Sequence, residues 1–133
     1  MSTFKLTIVT PEKEILNQEV MSFSCESQEG EFEILEGHES SLIVVVPNAV
    51  KIKDKDSKMS KIFVSSGLLR VKENQGTLCV DIAQWPQDID ISRANAAKER
   101  AKERLLNKDE NIDIKRAEVA LARAIARIKT VEN

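Results

Sequence analysis

The sequence predicts an α+β chain: an N-terminal antiparallel β-sandwich or barrel over residues 1–86, then a C-terminal two-helix antiparallel hairpin over residues 87–133. Three observations carry this. Up to Trp85, apolar residues recur with period two in short runs separated by turn residues. From Asp90 onward there is neither Gly nor Pro, and the strong helix formers Ala, Glu, Lys, Arg and Leu dominate. The charge also changes sign: residues 1–86 hold 9 Lys/Arg against 13 Asp/Glu, and residues 87–133 hold 11 against 9. Six of the seven arginines lie in the second part, so the two parts are expected to meet different partners.

The strands come first. FKLTIVT sets Phe4, Leu6 and Ile8 on one face. AVKIK and KIFVSSGLLRV continue the alternation, and GTLCVDIA alternates Leu78, Val80 and Ile82. Pro11, Gly30, Gly37, PNA at 47–49, KDKDSK at 53–58 and ENQG at 73–76 punctuate the runs. Aromatic residues are only 4% of the chain, so the core must come from Val, Ile, Leu and Ala. Trp85, beside Pro86, is expected to anchor the junction by packing. Cys25 and Cys79 lie within strand-like runs without CxxC spacing, and both are expected to be buried free thiols.

The helices are predicted at 91–106 and 114–131, broken at NKDEN (107–111). So short a connection between helices implies an antiparallel pair. Each helix opens on nearly the same phrase, IDISRA at Ile89 and IDIKRA at Ile112. Asp90 and Asp113 suit the N-cap, where a carboxylate accepts from the free N–H groups of the first turn. Ile89 with Ala94, and Ile112 with Ala117, occupy the hydrophobic-staple positions. Capping does not explain Arg93 and Arg116, which stand where Glu or Gln would complete a capping box and where the helix dipole disfavours a cation.

The arginines recur as stripes. Arg93, Arg100 and Arg104 are spaced i, i+7, i+11, and Arg116, Arg123 and Arg127 repeat that spacing. Two readings stand at this point. One is a solvated basic face balanced by Glu99, Glu103 and Glu118. The other is an anion site between the helices, because converging guanidiniums repel unless an anion neutralises them. The inner faces, Ala94, Ala97, Ala101 and Leu105 against Ala117, Leu121, Ala124, Ile125 and Ile128, bury little area. At about 25 cal/mol per Å² the hairpin should be weakly held, as movable segments are.

Several classes are excluded. No apolar run approaches the roughly 20 residues of a membrane span, and MSTFKLTIVTPEKE is not a signal peptide, so a cytoplasmic setting is expected. The one histidine, His38, has no second His or Cys–acid cluster to form a metal site, and no catalytic triad, P-loop or GxGxxG can be assembled. His38 is expected to be structural or an interface residue. A pI near 5.6 without aromatic interleaving argues against nucleic acid.

Taken together, these segments resemble the epsilon subunits of bacterial F-type ATP synthases over nearly the whole chain. FKLTIVTPEKEIL is similar to that family's opening strand and turn. SQEGEFEILEGHESSL resembles its Gly-Glu-Phe/Leu-Gly-Ile-x-Pro-Gly-His loop. FVSSGLLRVKENQGTLCVDIA resembles the stretch leading to its last strand, and the two Ile-Asp phrases resemble its C-terminal helices.

The resemblance implies a non-catalytic rotor subunit that needs no cofactor. Its sandwich would bind the gamma subunit and the c ring, with Glu29, Glu31 and His38 facing them. Its hairpin would extend along gamma toward the alpha and beta subunits and restrain ATP hydrolysis. Contact with the membrane would come only through the complex, at the cytoplasmic face of the inner membrane. In some members one ATP holds the folded hairpin through an Ile/Leu-Asp-x-x-Arg-Ala motif. Here Ile89, Asp90, Arg93 and Ala94 match it, joined by Arg100, Arg123 and Arg127. Gln84 stands where ATP-binding members carry Glu, and Glu33, Glu36 and Leu68 replace the usual Gly, Pro and Gly.

Overall fold

A computed structural model describes residues 2–107 and 113–132. Most of the NKDEN break and Ile112 lie outside the described residues. Among the described residues nine strands precede two helices: β1 Phe4–Val9, β2 Glu14–Ser27, β3 Gly30–Leu35, β4 Ser41–Val45, β5 Asn48–Asp54, β6 Met59–Val64, β7 Gly67–Lys72, β8 Gln75–Val80, β9 Ala83–Gln84, α1 Ile91–Asn107 and α2 Ile114–Val131. A single 3₁₀ turn, Pro86–Asp88, joins the two parts.

The strands form one continuous ladder in the order β4-β7-β8-β1-β2-β5-β6-β9, with β3 beside β2, folded into a sandwich. The 14-residue β2 carries the chain between layers. Its first half pairs with β1, and its second half pairs with β3 and β5. A register shift between Val20 and Ser22 lets it bend. Every pairing is antiparallel except β1 with β8, which run parallel. Period-two patterning fixes which face a residue takes but not the direction of a neighbour.

Phe4, Leu6, Ile8, Val20, Phe23, Ile34, Val50, Ile52, Leu69 and Leu78 fill the core, and Trp85 packs on its edge. The β7–β8 hairpin turns on Glu73 and Asn74, both with positive φ (51° and 61°). A two-residue connection between right-twisted strands demands that pairing. The Asn74 side chain bonds outward twice, accepting from Gly37 N at 3.0 Å and donating to Thr3 O at 3.0 Å.

Two expectations are corrected. Cys25 is buried, but Cys79 is exposed. It lies between the inward Leu78 and Val80, so the alternation itself turns it outward. Ile82 is also exposed, because β8 ends at Val80 and the chain turns before β9.

Candidate functional site

The repeated phrase is a pair of helix starts. Asp90 Oδ1 accepts from Arg93 N at 3.1 Å, and Asp113 Oδ1 accepts from Arg116 N at 3.1 Å. The Asp90 and Asp113 carbonyls accept the first intrahelical bonds, from Ala94 N and Ala117 N. Capping therefore accounts for the aspartates of both phrases.

The arginines of the two phrases then part. Arg93 and Arg100 of α1 line a cavity of about 310 Å³ with Arg127 of α2. Asp90, Ala94 and Ala97 form its α1 wall, and Asp88 and Gln84 close it from the junction and β9. Arg93 starts α1 and Arg127 lies near the end of α2, so their meeting makes the helices antiparallel. Arg104 and Arg116 do not line this cavity, and both are exposed. Ile89 sits one residue outside the α1 cap, with its N–H on Pro86 O at 3.2 Å, and it does not line the cavity.

Arg127 is held from two sides. Its Nε donates to Gln84 Oε1 at 2.8 Å. Its guanidinium lies over the Phe63 ring, 4.4 Å from the centroid, a stacking worth about 0.5–2 kcal/mol. Burial, then the positive charges of Arg123 and Arg93, push the Arg127 pKa down. Arg123 also lies outside the cavity lining, and its Nε is buried without a hydrogen-bond partner among the described residues.

The converging guanidiniums of Arg93, Arg100 and Arg127 are an arrangement an anion relieves. Asp88 and Asp90 offset part of the charge. A volume of 310 Å³ is at the small end of ligand pockets, which run roughly 300–1,000 Å³. It suits the phosphate end of a nucleotide, not its whole length. Among the described residues no cluster of three His, Cys, Asp or Glu side chains could hold a metal.

Phe63 was not singled out from the sequence, although a signal was present. Ile62, Phe63 and Val64 are all buried, which breaks the alternation of a strand with one wet face. Ile62 and Val64 point into the sandwich, and Phe63 points the other way, beneath α2.

The residues expected at a partner interface are spread out. Glu29 and Glu31 flank the start of β3, whereas His38 follows its end. Glu31 to Leu35 spans four steps of β3 at about 3.3 Å each, and the turn that bonds His38 N to Leu35 O sets His38 at the far end, so these positions lie roughly 13 Å apart. Glu29 is exposed and accepts from Ser27 Oγ. Glu31 lines an open cleft between the sheet and α2. His38 is half-buried, with Nδ1 2.8 Å from the Glu39 carbonyl oxygen.

A separate apolar face lies on β4 and β7. Leu42 and Val44 are 66% and 65% exposed, and Leu68, paired with Val44, is 41% exposed. Adjoining grooves run past Cys79 and Thr10. Large side chains this exposed and contiguous mark a surface made to be covered.

Comparison with known proteins agrees with this division. Residues 3–86 match the family model described as ATP synthase, Delta/Epsilon chain, beta-sandwich domain. Residues 87–132 match the one described as ATP synthase, Delta/Epsilon chain, long alpha-helix domain. A protein of Clostridium novyi called ATP synthase epsilon chain is 46% identical over 129 residues, covering 97% of this chain and 98% of the other. That of Clostridium kluyveri is 41% identical over 128 residues, covering 96% of each. Among solved structures, a chain of the Euglena gracilis mitochondrial ATP synthase (OSCP/F1/c-ring) shares the fold. Its TM-score is 0.87 at 22% identity, covering 99% of this chain and 83% of that one.

Proposed function

The chain belongs to the ATP synthase delta/epsilon family, and on that premise we propose that it is the non-catalytic epsilon subunit of an F-type rotor. In this reading the sandwich couples the gamma subunit to the ion-driven c ring. The hairpin swings from its seat toward the alpha and beta subunits and restrains ATP hydrolysis. ATP acts as a regulatory ligand at the Arg93–Arg100–Arg127 cavity, with Asp90 and Ala94 shaping its wall and Ile89 and Arg123 beside it. No helix among the described residues is long and apolar enough to cross a membrane. Attachment to the cytoplasmic face of the inner membrane would run through the complex.

The carrying observation is the separation of the two parts. The main core cluster is built entirely from the sandwich and its edge. The fully buried residues of the helices are mostly alanines: Ala94, Ala101, Ala117, Ala124 and Ala126. A body that contributes so little to the main core can leave without unfolding the rest. The glutamates of the β3 edge and the apolar β4–β7 face give the sandwich two different surfaces, which suits two different partners.

The test is hydrolysis by the assembled complex carrying the chain truncated after Pro86. We expect hydrolysis to rise while the complex still assembles. Unchanged hydrolysis at every ATP concentration would remove the inhibitory role and leave the coupling role standing.

A further inference from the structure

Beside its packing on β5 and β6, α2 is held on the sandwich by a polar contact at its end. An open cleft of about 520 Å³ runs between them, lined by Asn48, Ala49 and Lys51 on the sheet and by Ala122, Ile125 and Lys129 on the helix. Across this gap one side chain reaches the end of the helix. Lys61 Nζ donates to the carbonyl oxygens of Lys129 at 3.1 Å and Glu132 at 2.7 Å. These lie in the last turn of α2 and at its C-cap. The final carbonyls of a helix lack intrahelical partners and carry the negative end of the dipole, so an ammonium there satisfies both needs.

The position of Lys61 on β6 matters. Lys61 and Phe63 are two residues apart on one strand and so share a face. Both meet α2, Phe63 under Arg127 and Lys61 at the terminus. α1 packs chiefly on α2, and α2 packs on β5 and β6. Whatever holds α2 therefore holds the whole hairpin.

We propose that Lys61 is a catch that holds the folded hairpin on the sandwich without nucleotide, by capping the C-terminus of α2 from the neighbouring sheet. Lys61 is not part of the arginine cavity. The seat thus has two independent points. One, at Arg127, is open to an anion in the cavity, and the other is built into β6. The fold stays closed at rest through Lys61, and the anion adds to that hold. This consequence for regulation rests on the mobile-hairpin reading, but the catch itself does not.

The experiment is amide hydrogen exchange on the full free chain without nucleotide, comparing the native protein with Lys61→Met, which keeps the apolar stem and removes the donor. Loss of a charge-assisted pair of bonds should speed exchange of α2 amides about ten-fold, with α1 following and strands β1, β2, β7 and β8 unchanged. Unchanged α2 exchange would overturn the proposal. So would equal acceleration in those strands, since Lys61 would then support the whole fold. Lys61→Arg, which keeps a cationic donor, should retain most of the protection, and a loss equal to that of Lys61→Met would also overturn it. Because neither nucleotide nor complex is present, a negative result here is separate from a negative result in the hydrolysis assay.

Discussion

At Arg127 one guanidinium serves a hydrogen bond to Gln84, a stack on Phe63 and the wall of the arginine cavity. Removing it should act on two properties at once. We expect the heat of MgATP binding, measured by calorimetric titration into the free chain, to disappear in Arg127→Ala. No binding by the native chain up to millimolar ATP would reduce the cavity to a packing feature, leaving the stack on Phe63 as the role of Arg127. The two cysteines make a contrasting residue pair. Burial, the largest cause, pushes the Cys25 thiol up to about 11, so it stays neutral where an unfolded thiol would ionise. Its folded pKa is raised, so its contribution to stability is full below the ordinary thiol pKa and is lost as pH rises toward about 11. Two units correspond to about 3 kcal/mol. Urea midpoints between pH 8 and 11 should fall more steeply for the native chain than for Cys25→Ala. Maleimide should label the exposed Cys79 well ahead of Cys25.

At the scale of elements, the helix starts were legible because capping is local chemistry. Asp90 and Asp113 announce their role within three residues, and the structure places both carboxylates on the expected N–H groups. Asp113→Ala, far from the cavity, should cost about 1 kcal/mol of hairpin stability, seen as faster exchange in the first turns of α2 with nucleotide binding retained. The outward turn of Cys79 follows from parity alone, which the expectation that both cysteines are buried overlooked. Other features were not legible, because they depend on which distant element arrives as a neighbour. Nothing local to β1 shows that β8 runs parallel to it, or that the face of Phe63 will meet Arg127 64 residues later. Of the arginine stripe, Arg93 and Arg100 could be placed on one helix face. The resemblance, not helix geometry, set Arg127 and Arg123 beside them, and that Arg127 lines the cavity while Arg123 stops beside it depends on how α2 settles on β5 and β6. Gly67 is a similar case: a Cβ there would overlap the Cys79 carbonyl across the β7–β8 pair. Gly67→Ala should lower stability by a few kcal/mol, about the cost of forcing two paired strands apart, read as a reduced urea midpoint.

For the whole molecule, the sandwich and hairpin divide the work that a rotor subunit would need. The sandwich holds the core, and the hairpin contributes little of it. The charge follows the same division, net negative up to residue 86 and net positive beyond it. The apolar face of β4 and β7 then suits an occupant, because Leu42 and Val44 leave most of their area, and Leu68 a large part, in water on the free chain. Of the two partners in the proposed reading, gamma is the one tested at this face. Burying a carboxylate there without a partner is costly, whereas the same carboxylate in water costs little. Val44→Glu and Leu42→Glu, each made alone so that no two like charges face each other across the β4–β7 pair, should therefore leave the Tm of the free chain nearly unchanged. Each should weaken its association with purified gamma at least about ten-fold, since 1.4 kcal/mol suffices for that factor. Unchanged association would mean that gamma docks elsewhere on the sandwich. The glutamate-lined β3 edge would then be the surface to substitute next, beginning with Glu29 and Glu31.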